Sequence, residues 1–200
     1  MYRYPARLLQ TTQTHLKRCV VATWPRASAA SAWVGATLCL VTNINDPNFD
    51  EPREHPGFRC VRARLGRQAG SERLGLSLWE VPPGEAAYPY HHHLGEEELI
   101  LVLEGGPSLR TPAGWRELRE GEVVAFLRGE EGAHQLVNRT QQTVRFLAFS
   151  PSGDPDIVIY PDSGKVGAFE RLADGGGLRT MFRLADTVDY HDGEQPPARE

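Results

Sequence analysis

His91-His92-His93 and Glu96-Glu97-Glu98 place three imidazoles and three carboxylates within eight residues. Imidazole nitrogen and carboxylate oxygen are the donors that hold divalent first-row metals. On an extended strand, successive side chains alternate between faces. His91 and His93 therefore share a face, and His92 points away. A carboxylate seven positions past His91 misses that face on one continuous strand, so the chain must turn. Gly95 marks the place: a turn over 94–96 folds the chain back and presents a carboxylate beside the two imidazoles. Glu98 is preferred, because it starts the strand that runs on to Leu103; Glu97 is the fallback. His134 opens a short strand after the glycine-bearing loop 129–133 and supplies a fourth donor if that strand lies beside the first hairpin. Three neutral imidazoles and one carboxylate suit Fe(II), Mn(II), Ni(II), Co(II) or Zn(II), and an octahedral ion so held keeps two positions open. The set contains no cysteine, which argues against copper(I) and iron–sulfur clusters.

The elements that must position these donors read as strands. Short apolar runs at 58–65, 73–81, 97–103, 108–111, 115–119, 122–127, 134–137 and 143–149 alternate with turn signals such as Pro82-Pro83-Gly84, Pro112-Ala113-Gly114 and Glu120-Gly121. No long amphipathic helix interrupts them, so an all-β sandwich or barrel is expected and a doubly wound α/β fold is not. After Pro151 the pattern is less regular, with further strands expected at 157–160 and 178–184 and a flexible joint at 174–177. Residues 192–200 have a disordered composition. The run 46–56 carries three prolines and reads as an extended linker. Residues 1 to about 42 form no sustained helical stripe and read as irregular or weakly helical.

Composition sets outer bounds. Of 200 residues, 40% are hydrophobic, enough for one core, and the 20 glycines and 15 prolines favour many turns. A net charge of −4 offers no surplus to neutralise phosphates, so nucleic acid is not expected as a partner. Cys19, Cys39 and Cys60 form neither a disulfide framework nor a CxxC knuckle and read as thiols in a reducing cytoplasm. No apolar run reaches membrane-span length, and 27–41 lacks a convincing cleavage site, so no membrane partner and a cytoplasmic location are expected.

With the donors and strands in place, a resemblance can be stated. Residues 84–105 resemble the first motif of the cupin superfamily, with Gly84, His91-x-His93, Glu98 and Gly105; the leading spacing is one residue longer than usual. Residues 121–138 resemble the second, with Gly121, Gly129, His134 and Asn138; Leu127 stands where proline is usual. The likeness spans roughly 73–150, and Tyr160-Pro161-Asp162-Ser163 with Lys165-Val166-Gly167 also looks like small bacterial cupins. It implies a double-stranded β-helix (a jelly-roll barrel), one divalent metal ion on His91, His93, Glu98 and His134, and frequent dimers. On this basis residues 1–45 are expected to be an irregular extension, 46–150 the barrel, and 151–200 a C-terminal extension. The family does not imply one reaction.

Blander readings apply to the neighbouring residues. His92 is expected on the outer face or as a supporting donor. Glu96 and Glu97 are expected in a solvated turn, Asn138 as a turn former, and Asp154, Asp156 and Asp162 as solvated loop acids. Tyr88 and Glu80 are candidates for a general base through proximity alone. Trp79 and Tyr88 fit either a pocket mouth or the core. The run Glu98 to Leu103 is apolar on both faces, so its outer face needs cover from the same chain or from a homodimer partner. Three functions are compatible with this pattern: a metal-dependent enzyme on a small polar metabolite (dioxygenase, isomerase or epimerase type), a non-catalytic barrel that binds or senses metal and a small ligand, and a barrel whose metal is only structural.

Overall fold

Apolar residues alternating with polar ones along 74–81 and 144–151 make two long neighbouring strands, and the rest of the barrel is laid down around them. The computed structural model describes residues 40–152, 155–170 and 176–197. The expectations for residues 1–39, including Cys19 and Cys39, and for Asp154 lie outside the described residues. The strands are β1 (Glu51–Arg53), β2 (Cys60–Ala63), β3 (Leu74–Val81), β4 (His92–His93) and β5 (Glu98–Glu104). Then come β6 (Ser108–Thr111), β7 (Gly114–Glu117), β8 (Val123–Phe126), β9 (Gln135–Val137) and β10 (Val144–Pro151). β11 (Asp156–Tyr160), β12 (Lys165–Phe169) and β13 (Arg179–Arg183) complete the set. One short helix, α1 (Leu65–Gln68), follows β2.

Two layers result. The first is a six-stranded sheet in the order β1-β2-β3-β10-β5-β8. The second is assembled from β13-β12-β11-β4 and β7-β6-β9, joined by the bridges His91↔His134 and Ala86↔Val137. All recorded pairings are antiparallel, as chains with hairpin-length turns require. The inner faces enclose Trp79, Val81, Ile100, Val102, Leu109, Leu136 and Phe146, all buried. The fold is the all-β barrel expected from the strand spacing, in the double-stranded β-helix form that the family resemblance implies.

The outer face of β5 is covered within the chain. Leu101 and Leu103 pack against Ala63, Leu65, Leu78 and Leu147, together with Ile44 and Phe49 from the incoming segment. That segment is therefore more than a linker. Glu51–Arg53 inside it pairs with β2, and Arg145 donates to the carbonyl of Ile44 at 2.7 Å. β12 and the two-residue β4 have no clear sequence signal, since neither is long enough to show a period of two. β11 pairs with β4, so residues after Pro151 build part of the wall that carries the histidines.

Candidate metal centre

His91, His93, Glu98 and His134 converge at one end of the barrel interior. His91 and His134 face each other across their bridge, with backbone hydrogen bonds of 3.1 and 2.8 Å in the two directions. Their ring centres lie 4.7 Å apart. His93, on the same face as His91, brings its Nε2 to 3.1 Å from that of His91. Glu98 opens β5 and sets its Oε2 3.0 Å from His134 Nε2 and 3.8 Å from His93 Nε2. Donor atoms of His91, Glu98 and His134 all lie within 4.8 Å of one another. Glu97 is exposed, as a turn residue should be.

Local structure holds each ring. The loop before His134 closes only because residue 132 is glycine: a Cβ there would stand 1.7 Å from the Leu127 carbonyl oxygen. The Gly132 carbonyl then accepts from His134 Nδ1 at 2.9 Å. Phe126, paired with Glu98 across β8 and β5, stacks on the His134 ring with centres 3.8 Å apart and planes 10° apart. His91 Nδ1 donates to the Pro89 carbonyl at 2.9 Å, and His93 Nδ1 to Asp156 Oδ2 at 2.5 Å. An imidazole whose Nδ1 carries the proton presents a bare lone pair at Nε2. All three Nε2 atoms thus face Glu98, or one another, as acceptors.

The electrostatics agree with this arrangement. Burial, reinforced by the neighbouring His134 and His93, lowers the His91 pKa to about 3, so it stays neutral. Burial alone would raise Glu98, but His134, 3.0 Å away, and the other surrounding imidazoles hold it at about 2. Burial also depresses His93, yet the Asp156 hydrogen bond and the Glu98 and Asp156 charges outweigh it and leave a net rise.

Several sequence expectations are corrected. Asp156 is no solvated loop acid: its side chain is fully buried at the start of β11, with Oδ2 on His93 and Oδ1 accepting from Gly95 N at 3.2 Å. Glu96 is buried rather than solvated and lies with His93 and Asp156 in a second cluster of potential donors. His92 faces away by strand alternation but is buried, because the turn at Glu130–Gly132 lies against β4 and Glu130 acts on its ring. Glu80 is excluded as a base of this site by its ion pair with Arg145 at 2.9 Å on the opposite face of β3. Burial, and then the Glu98 charge, push the Tyr88 phenol well above its ordinary pKa, so it keeps its proton and is a hydrogen-bond donor, not a base. Asp162 does sit on the surface, where it pairs with Arg110 at 2.6 Å. Asn138 ties the turn after β9 together, accepting from Thr140 N and donating to the carbonyls of Val81 and Gln142. Asp156 is 63 positions from His93 and lacks local motif context, so nothing in the sequence singles it out.

Comparison with known proteins agrees with this architecture. The family model for the cupin domain matches residues 77–150. A candidate sugar phosphate isomerase from Acidithiobacillus ferrooxidans superposes with a TM-score of 0.63 at 24% identity, over 76% of this chain and 96% of that one. A sugar phosphate isomerase of the cupin superfamily from Silicibacter pomeroyi gives 0.63 at 23% identity, over 75% and 96%. The polyketide cyclase RemF of Streptomyces resistomycificus shares 32% identity over 56% of this chain and 78% of its own, with a TM-score of 0.48. No curated protein matches the chain. The chain carries a cupin domain at residues 77–150.

Proposed function

We propose that His91, His93, Glu98 and His134 hold one divalent metal ion, and that the barrel is an enzyme acting on a small polar metabolite. One observation carries the reading: the Nε2 atoms of three imidazoles and Oε2 of Glu98 meet at one spot, and each can offer a lone pair. Glu98 Oε2 and His134 Nε2 are buried without a hydrogen-bond donor, although they lie 3.0 Å apart. Two acceptors that close repel each other unless a cation lies between them. The donor set suits Fe(II), Mn(II), Ni(II), Co(II) or Zn(II). When bound, the ion supplies Lewis acidity to a substrate oxygen.

A cavity of about 510 Å³ reaches His91, His93 and Glu98, and it is lined by charged and aromatic residues as well as apolar ones. A storage or purely structural barrel would close such a space with aliphatic side chains, so the cavity favours catalysis over the non-catalytic reading. The reaction type (isomerase, epimerase or dioxygenase) is tested with a panel of hydroxy acids, sugars and sugar phosphates on protein loaded with each metal. The metal itself is tested by elemental analysis of protein purified without a histidine tag. About one ion per chain is expected in the wild type. His93→Ala should lose most of it, while His92→Ala should retain most. Equal loss in both variants would refute the ligand assignment.

A further inference from the structure

The cavity that reaches the metal donors has a second wall with chemistry of its own. β1, β2 and β3 present Glu51, Arg53, Arg62, Ser77 and Trp79 to it. Charged groups facing a barrel interior are costly unless they are paired or used. Arg53 and Arg62 both lie over the Trp79 ring, at 4.6 and 5.0 Å from its centre. Each is anchored. Arg53 donates to the Ala87 carbonyl at 3.4 Å and to Glu51 Oε1 at 3.1 Å. Arg62 donates to Ser77 Oγ at 3.0 Å and to Glu51 Oε2 at 3.3 Å. A guanidinium carries five N–H donors in one plane, and a stacked, anchored one loses little freedom when it binds an anion. Two such cations against one ring, sharing the Glu51 carboxylate, form a setting in which a further anion is stabilised.

Tyr88 provides an independent observation. Its ring packs edge-on against Trp79, with centres 5.6 Å apart, and against His91 at 4.9 Å. It is 6% exposed and lines the same cavity. Its hydroxyl is buried with no hydrogen-bond partner among the described residues. Its ring touches Trp79 on one side and His91 on the other, so it stands between the candidate metal donors and the arginine wall. A buried hydroxyl without an acceptor is a costly exception in a folded protein, and an oxyanion oxygen satisfies it.

We propose that this wall is an anion subsite: Arg53 and Arg62 hold a phosphate or carboxylate group of the substrate, Tyr88 donates to an adjacent oxygen, and the rest of the molecule faces His91, His93 and Glu98. Only the last clause rests on the proposed metal site; the anion subsite stands without it. The substrate class is therefore a small metabolite bearing a strong oxyanion at one end.

Calorimetric titration with inorganic phosphate and with malonate, at constant chloride, tests this on the manganese-loaded full chain and on the chelator-treated chain. At least one of the two anions should bind the loaded wild type, and the preferred one identifies phosphate or carboxylate as the group held. Arg53→Met and Arg62→Met should each weaken binding roughly tenfold or more, with metal content unchanged and Arg53→Lys intermediate. A complementary readout needs no variant: phosphorus relaxation of added phosphate should be faster with manganese than with zinc in the wild-type protein. No anion binding by the loaded wild type, or unchanged affinity in both methionine variants, would overturn the proposal; no relaxation difference in the manganese-loaded chain would overturn its last clause. Failure of the wild-type chain to take up any of these metals, with anion binding intact, would refute the metal assignment and leave the anion subsite standing.

Discussion

At the scale of single residues, the site is organised by what lies behind each ligand. Pro89, Asp156 and Gly132 accept the Nδ1 protons of His91, His93 and His134. Two of these acceptors are neutral carbonyls; Asp156 alone is a carboxylate. It should make His93 the most basic of the three imidazoles, since a charged acceptor strengthens the donor capacity of the opposite nitrogen. Asp156→Asn keeps an acceptor but removes the charge. Its metal affinity should fall about 10- to 100-fold in a chelator competition, while the thermal midpoint of the metal-free protein changes little. An unchanged affinity would reduce Asp156 to a packing role.

At the scale of elements, the barrel depends on edges that look dispensable in the sequence. β1 has only three residues, yet it carries Glu51, which bridges Arg53 and Arg62. Burial raises the Glu51 carboxyl, but the Arg62, Arg53 and Arg64 charges outweigh that effect and keep its pKa below the ordinary 4.5. The group is depressed in the folded state, so the unfolded chain takes up the proton first. Its contribution is present above the unfolded value and is lost as pH falls from 4.5 through the folded one. Thermal midpoints of wild type and Glu51→Gln, followed downward from neutral pH, should converge in that window. Curves that stay parallel would show that Glu51 does not anchor β1.

At the scale of the whole molecule, the apolar outer face of β5 does not by itself call for a partner, because Ile44, Phe49 and α1 cover much of it. The uncovered apolar surface is elsewhere. β13 is the last strand of its sheet, and Met181, Phe182, Leu184 and Val188 on it and just beyond it are 47–74% exposed. An edge strand with exposed apolar side chains is a template for pairing with another chain. We propose that a second copy covers it in a homodimer related by a two-fold axis. Sedimentation velocity should give a dimer at micromolar concentration, and Met181→Glu with Phe182→Glu should give a monomer. A monomeric wild type under the same conditions would refute the pairing.

What was legible in the sequence was whatever depends on local spacing. The alternation at 73–81 and the short continuous apolar run at 97–103 show strands, and the phase of His91 and His93 with the turn at Gly95 places two imidazoles and Glu98 on one side. His134 alone reads as an ordinary structural histidine, and only its place in the resemblance to the second cupin motif singles it out. Other features depend on distant parts of the chain meeting, and only the tertiary structure decided them. Asp156 becomes a buried partner of His93 because β11 pairs with β4. Arg53 and Arg62 face the cavity that reaches His91, His93 and Glu98 because β1 and β2 extend the sheet that β3 and β10 begin. Burial and charge neighbours are properties of that assembly, and a one-dimensional pattern records neither.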